Sequence, residues 1–135
     1  MSVYATMVAV SDDTAGNPPH ESRHVSVWIE CTAAAAYEFI SDPENLPRWV
    51  AGLDLAAVDF EFAPLNEFGV LDHVVRVGGE AFYNPMRVLP AGVGHDSCEL
   101  VFSVRRRAGM SDDEFDADAA AVAADLHTLR GLLQG

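Results

Sequence analysis

Two consecutive glycines, Gly78 and Gly79, constrain the fold of this chain more than any other feature of its sequence. They separate two segments in which apolar and polar residues alternate, "FGVLDHVVRV" (68–77) and "EAFYNPMRVL" (80–89). A two-residue glycine loop between alternating segments is typical of a β-hairpin, because the favoured hairpin turns require positive φ angles. The hairpin in turn determines which residues of the two strands lie opposite each other.

Pairing Val77 with Glu80 across this loop places His73 opposite Asn84 and gives each strand one apolar face. The inner face then combines residues of several strands: Leu71, His73, Val75, Phe82, Asn84, Met86, Val88, Leu100, Phe102 and Val104. The opposite face carries the charged residues Asp72, Arg76, Arg87, Glu99 and Arg105. We interpret these as a solvated ladder of opposite charges, which stabilises a sheet only weakly.

Two short helices are expected before the hairpin. Thr32 is placed to cap a helix over "AAAAYEFI" that ends near Ser41. Asp42 and Pro43 are typical of the first positions of a second helix, which continues through "ENLPRW" to a break at Gly52. Alternation predicts further strands on both sides of these helices, over 24–30, 58–62 and 97–107.

A long amphipathic helix ends the chain. Ser111 and Glu114 form a capping box, and the acidic run from Asp112 to Asp118 is interpreted as helix capping and a solvated face. The apolar residues recur at helical spacing: Phe115, Ala119, Val122, Leu126, Leu129 and Leu133. A helix with one apolar face and a set of antiparallel strands predict an α+β fold, in which a curved sheet packs on the helix.

Length and composition fit one domain, which we expect over 23–135, after a flexible polar tail over 1–22. The formal charge is −13, and the one basic cluster, Arg105 to Arg107, is short. This balance disfavours nucleic acid and anionic lipid surfaces, and it favours a neutral or apolar small molecule or another protein as partner. No segment is long and apolar enough for membrane insertion. The sequence leaves open whether the chain forms a homodimer.

Cysteine usage and the N-terminal residues indicate the compartment. Cys31 and Cys98 have no paired spacing, which is typical of a reduced protein. The first residues lack a basic region and a cleavage site, so we expect a cytoplasmic protein. No cluster has metal-ligand spacing and no phosphate-binding loop is present in the sequence, so neither a metal nor a cofactor is expected.

Four segments between His24 and the C-terminus are similar to one protein family: "HVSVWIECTAAAAYEFISDPENLPRW", "NEFGVLDHVV", "YNPMRVLPAGVGHDSCELVFSVRRRAGMSDDEF" and "AAVAADLHTLRGLL". They resemble the SRPBCC superfamily of START and Bet v 1-like proteins, and within it the bacterial polyketide cyclase/dehydratase-like branch. The resemblance implies a helix-grip fold, with two short helices after the first strand. It also implies a deep apolar cavity between the sheet and the C-terminal helix, which in this family takes lipids, polyketides or sterols.

On this resemblance the inner face becomes the lining of a ligand cavity. The residues expected there are Tyr37, Trp49, Phe60, Phe62, Leu71, His73, Val75, Phe82, Asn84, Met86, Leu100, Phe102, Phe115, Val122 and Leu126. The function expected first is binding or transport of a small apolar or aromatic ligand, similar to a lipid or polyketide. Two alternatives stay open: a polyketide cyclase/dehydratase-like enzyme with His73 as acid or base, and a module that binds another protein.

The enzymatic alternative depends on His73. An inward-facing histidine is more often a hydrogen-bonded core residue than a ligand contact. Beneath an open cavity, a neutral imidazole and the Asn84 amide would orient a ligand carbonyl or hydroxyl, and His73 could act as general acid or base. Trp49 is expected either at the cavity mouth or in the core. Arg105 to Arg107 are expected either in solvent or against a ligand carboxylate.

Overall fold

The order of elements follows the sequence pattern closely. The computed structural model describes residues 20–134, so the expected tail over 1–22 lies, except for its last three residues, outside the described residues. The elements are β1 (Ser22–Ile29), α1 (Ala33–Ile40), a 3₁₀ helix (Pro43–Asn45), α2 (Leu46–Trp49), β2 (Asp59–Phe62), β3 (His73–Val77), β4 (Glu80–Asn84), β5 (Met86–Ala91), β6 (Ser97–Arg105) and α3 (Asp112–Gln134). The α+β arrangement of antiparallel strands and a long C-terminal helix is therefore confirmed.

The helices begin where the sequence predicts. The Thr32 side chain accepts a hydrogen bond from a backbone amide in the first turn of α1, and the Asp42 side chain does the same for the 3₁₀ helix. At the start of α3, the Glu114 amide donates to Ser111 Oγ over 3.1 Å, and the Ser111 amide donates to Glu114 Oε1 over 3.0 Å. These caps satisfy amides that have no partner within their own helix.

The six strands form two antiparallel three-stranded sheets. Sheet A has the order β1-β6-β5 and sheet B the order β2-β3-β4. The Gly78-Gly79 loop joins β3 to β4 in the predicted register, with His73 opposite Asn84, and both glycines have a positive φ angle. Residues of the predicted inner face are buried, except Phe82, which is half-buried. The register and the direction of the inner face are confirmed.

Pro85 marks the point at which the two sheets separate. The single strand predicted over 80–89 is wrong, because β4 ends before Pro85 and β5 begins after it. Proline has no backbone N–H and interrupts a ladder of hydrogen bonds. The chain after Pro85 pairs with β6 on one side, and the Ser103 amide donates to the Pro85 carbonyl over 3.0 Å beside that ladder. On its other side it still pairs with residues 69–71 in the hairpin register, through hydrogen bonds from the Leu71 amide to the Met86 carbonyl (2.8 Å) and from the Val88 amide to the Gly69 carbonyl (3.0 Å). The chain before Pro85 pairs with β3 instead, so β4 becomes an edge strand of sheet B.

Asp72 lies on the outer face, close to Pro85, and it is buried, with 3% of its surface exposed. Its Oδ1 accepts hydrogen bonds from the Met86 amide (2.9 Å) and from Arg87 Nε (3.0 Å). Its Oδ2 accepts from Arg87 Nη2 (2.9 Å) and from the Tyr83 hydroxyl (2.5 Å). One carboxylate therefore contacts the chain on both sides of the proline.

The predicted solvated charge ladder is wrong for Asp72 and correct for Arg76. The Arg76 side chain is exposed and forms ion pairs with Asp59 and Glu61 on the neighbouring strand β2. Asp72 differs because its two oxygens receive four hydrogen bonds, which compensate for the loss of hydration.

α3 packs mainly on sheet A. Its buried apolar residues, Phe115, Ala121, Val122, Leu126 and Leu129, belong to the same core as the inner residues of β1 and β6. On the inner face of sheet B lie the half-buried aromatic side chains Phe60, Phe62 and Phe82. None of the helices within residues 20–134 is long and apolar enough to cross a membrane.

The pKa of Asp72 links this network to acid stability. Burial acts to raise that pKa, but hydrogen bonds from Arg87, Tyr83 and Met86 outweigh it and lower the pKa from 3.8 to about 2. A carboxyl group with a depressed pKa stabilises the folded state above about pH 4, and this contribution is lost as the pH falls towards 2. The shift corresponds to about 2 kcal/mol.

We expect Asp72→Asn to lower the free energy of unfolding at pH 7 by about 2–4 kcal/mol, because it leaves buried donors around an uncharged amide. Urea unfolding at pH 7, 4 and 2.5 would measure this, and the difference from the wild type should shrink at the lowest pH. Asp59→Asn, the same change in an exposed ion pair, should leave stability nearly unchanged. Equal stability of the two variants would contradict the role assigned to Asp72.

Candidate functional site

His73, the predicted acid or base, lies inside sheet B with 1% of its surface exposed. Its ring stacks on that of Phe60, with centroids 4.4 Å apart, and lies 5.7 Å from the rings of Phe62 and Phe102. Nδ1 is 3.0 Å from the Leu71 carbonyl oxygen. Because a carbonyl only accepts, the Nδ1 atom carries the proton and donates this hydrogen bond.

Burial lowers the pKa of His73 to about 4, although the hydrogen bond to Leu71 and the charge of Asp72 both favour the protonated form. The imidazole is therefore neutral near pH 7, and a base with so low a pKa is weak under those conditions. These are features of a core histidine. An acid–base role for His73 stays a prediction, and neither its burial nor its pKa favours it.

We expect the imidazole signals of His73 to titrate with a midpoint near pH 4 in a ¹³C-resolved NMR experiment. The unfolded chain takes up a proton below about pH 6.5, whereas folded His73 stays neutral down to about pH 4, so stability falls over this interval by about 3 kcal/mol. His73→Phe should lose this part of the pH dependence in urea unfolding. A midpoint above pH 6 would show that the ring is hydrated.

A cavity lies where the two sheets separate. It has a volume of about 200 Å³, lies between β4 and β6, and reaches α3. The lining residues are Ala81, Phe82, Tyr83, Asn84, Phe102, Val104, Arg105, Arg107 and Asp118. Three of them, Phe82, Asn84 and Phe102, are among the residues that sequence reasoning assigned to a ligand cavity.

The three consecutive arginines at the end of β6 have different environments. Arg105 is exposed at the cavity. Arg106 is buried, forms ion pairs with Glu21 and Asp112, and is not among the residues that line the cavity. Arg107 lines the cavity with a side chain that is 15% exposed. Of the two alternatives stated for this cluster, a ligand contact therefore remains open for Arg107.

Asp118 places a carboxylate on the inner side of α3. It is 1% exposed, and its Oδ2 lies 3.4 Å from Arg107 Nη1. The solvated face predicted for the acidic run is therefore wrong at this position. The burial of Asp118 could have been predicted from its spacing. Asp118 follows Phe115 by three residues and precedes Val122 by four, which places all three on one helix face.

The polar lining of the cavity contains donor groups beside the Asp118 carboxylate. Within the described part of the chain, Arg107 Nε, Arg107 Nη2 and Asn84 Nδ2 are buried and have no hydrogen-bond partner. Burial lowers the pKa of Arg107, while Asp118, Glu114 and Glu80 act to raise it, and a guanidinium remains charged at neutral pH. The Arg107 guanidinium also lies over the Phe82 ring, 5.2 Å from its centroid.

Other residues assigned to a ligand cavity by sequence do not line this one. Trp49 is 2% exposed and packs in the core, and the Phe115 ring lies under the guanidinium groups of Arg23 and Arg106. Tyr37 lines a separate groove. Six more are part of the apolar core: Leu71, Val75, Met86, Leu100, Val122 and Leu126.

The groove at Tyr37 lies beside α1 and has a volume of about 490 Å³. The Tyr37 hydroxyl accepts a hydrogen bond from the Asn66 amide over 2.9 Å. The Asn66 side chain in turn bonds to the backbone of its own loop at Pro64, Phe68 and Val70. These polar groups hold a loop in place, so we regard the smaller cavity as the better candidate. No cluster of three or more potential metal ligands occurs between residues 20 and 134.

Comparison with known proteins identifies the fold. No protein-family model matches the sequence, and no curated protein matches it. Similar solved structures include an uncharacterised protein from Bacillus thuringiensis (TM-score 0.63, 13% identity, covering 85% of this chain and 100% of that one). Another is the protein XoxI from Bacillus cereus, with a TM-score of 0.62 and 12% identity, covering 83% of this chain and 94% of that one. A third is truncated norcoclaurine synthase from Thalictrum flavum, with a TM-score of 0.52 and 16% identity, covering 87% of this chain and 97% of that one. At these identities the likeness shows a Bet v 1-like helix-grip fold.

Proposed function

We propose that this protein binds a small apolar or aromatic ligand in the cavity between β4, β6 and α3. The observation that carries the proposal is the space of about 200 Å³ next to Phe82, Phe102 and Val104, at the separation of the two sheets. An apolar cavity of about 150 Å³ is enough to hold benzene. The cavity therefore suits one aromatic ring or a short acyl group.

The volume also limits the ligand. It is smaller than the roughly 300–1,000 Å³ of pockets that enclose drug-sized molecules. A whole sterol or polyketide would need more space, so of the ligands expected from the SRPBCC resemblance we favour the smallest, or one end of a larger molecule. The proposal keeps the sequence-based expectations of SRPBCC membership and a cytoplasmic location.

Binding accounts for the site better than catalysis does. One protein of similar fold is a synthase by name, so the fold by itself does not separate the two functions. The distinction depends on His73, which is buried among Phe60, Phe62 and Phe102 and is neutral near pH 7. If the protein instead catalyses a polyketide cyclase/dehydratase-like reaction through His73, the His73→Ala variant should fold normally and show no turnover.

We expect ethylbenzene to raise the melting temperature of the wild-type protein in a concentration-dependent way, because a ligand that binds only the folded state stabilises it. Val104→Phe should remove this effect. Val104 is 3% exposed and lines the cavity, so a phenyl group at this position would occupy the space. The matched control is Val93→Phe, the same change at a fully exposed position, which should respond as the wild type does.

A wild-type melting temperature that ethylbenzene leaves unchanged would contradict the proposal. An equal rise in Val104→Phe would also contradict it, because the probe would then bind elsewhere, for example in the groove at Tyr37. Near-UV circular dichroism establishes that the variant is folded, and Phe82→Trp on β4 provides a second way of filling the cavity. Native mass spectrometry of the purified protein, followed by extraction, would identify a natural ligand.

A further inference from the structure

Two side chains that line the same small cavity from different parts of the chain carry unpaired donors. Asn84 ends β4, and Arg107 follows β6. Their atoms Nδ2, Nε and Nη2 are buried and have no hydrogen-bond partner among residues 20–134. Unsatisfied buried donors destabilise a fold, and native proteins usually pair them with protein, water or ligand. A ligand that occupies this cavity is therefore selected for its acceptor atoms.

We infer that the cavity takes a neutral ligand that presents a carbonyl oxygen to Asn84 and Arg107. The inference rests on the proposed function, because it concerns the same cavity. A carbonyl oxygen has two lone pairs and accepts from two N–H groups at once. A hydrocarbon of the same shape would leave all three donors unpaired, and a ligand donor group would find no complement in them.

The charges around the cavity favour a neutral acceptor over a carboxylate. The positive charge of Arg107 is offset by Asp118, whose Oδ2 is 3.4 Å from Nη1. Glu114 and Glu80 also act on the Arg107 guanidinium, and the whole chain carries a net charge of −13. A ligand carboxylate bound to Arg107 would lie near Asp118 at a site largely removed from water, where like charges repel more strongly than in solvent.

The orientation of Arg107 limits where the oxygen binds. The Phe82 ring lies against the guanidinium, 5.2 Å from its centroid, and Asp118 takes the Nη1 side. The remaining edge carries Nε and Nη2, which are the two unpartnered atoms within the described residues. Guanidinium groups bind planar acceptors along such an edge. The aromatic or acyl part of the ligand then extends towards Phe102 and Val104.

Three probes of similar shape test the inference on the full-length protein. In α-methylstyrene a CH₂ group replaces the carbonyl oxygen of acetophenone, and benzoate places a negative charge at the same position. We expect acetophenone to bind about tenfold more tightly than either of the others, as measured by titrations followed by ¹H–¹⁵N NMR. The Arg107 Nε–H signal should move downfield with acetophenone and not with α-methylstyrene.

Two variants assign the preference to the two residues. Asn84→Leu keeps the approximate size and removes the amide, and Arg107→Lys keeps a positive charge near Asp118 but removes the planar set of donors. Each should reduce the preference for acetophenone to about threefold or less and leave α-methylstyrene binding nearly unchanged. Arg48→Lys, the same change at an exposed position in α2, is the matched control. The melting temperature of each variant shows whether it folds. If either Asn84→Leu or Arg107→Lys does not fold, the other variant provides the test.

The outcomes separate the inference from the proposed function. Equal binding of acetophenone and α-methylstyrene to the wild type would overturn the inference and leave apolar binding intact. Tighter binding of benzoate would overturn the neutral class of ligand. A preference for acetophenone that persists in both variants would place the oxygen elsewhere. If no probe binds, the proposed function fails and the inference fails with it.

Discussion

The carboxylate of Asp72 holds the chain on both sides of Pro85, and the arrangement of the two sheets depends on this contact. The Tyr83 hydroxyl donates to it from before the proline, and the Met86 amide and Arg87 donate from after it. Proline cannot contribute an N–H to a ladder, so a side-chain acceptor takes over where backbone pairing is interrupted. The Met86 amide, which directly follows the proline, thus keeps an acceptor where the chain passes from β4 to β5.

The same break produces the cavity. Because β5 pairs with β6 while β4 pairs only with β3, a gap opens between β4 and β6 on the β4 side of Pro85. Asn84, the last residue before the proline, therefore pairs with His73 on one side and lines the cavity on the side of β6. The buried network on the outer face of the sheet thus lies directly beside Asn84, and it connects the stability of this junction to the site proposed for the ligand.

The hairpin register could be predicted from sequence because loop length and two-residue alternation are local properties. Three features were missed although the sequence contained a signal for each. A proline within a strand indicates an edge or a break, so Pro85 argued against one strand over 80–89. The same register places Asp72 directly opposite Pro85. Asp118 shares the helical face of Phe115. The position of Arg107 in a cavity depends on how far the two sheets diverge, and no local pattern specifies that distance.

Two residues that face each other in the register, His73 and Asn84, have different roles in the folded chain. The His73 ring donates to the carbonyl of Leu71 and is enclosed by aromatic rings, so its polar group is used within the fold. The Asn84 amide nitrogen has no such acceptor among the described residues, and neither do two nitrogens of Arg107. Neither an amide nor a guanidinium changes its protonation state near neutral pH, but both donate directional hydrogen bonds. The polar groups that remain at the cavity are therefore suited to the proposed recognition of a ligand oxygen, and this is why we propose binding and not acid–base chemistry at His73.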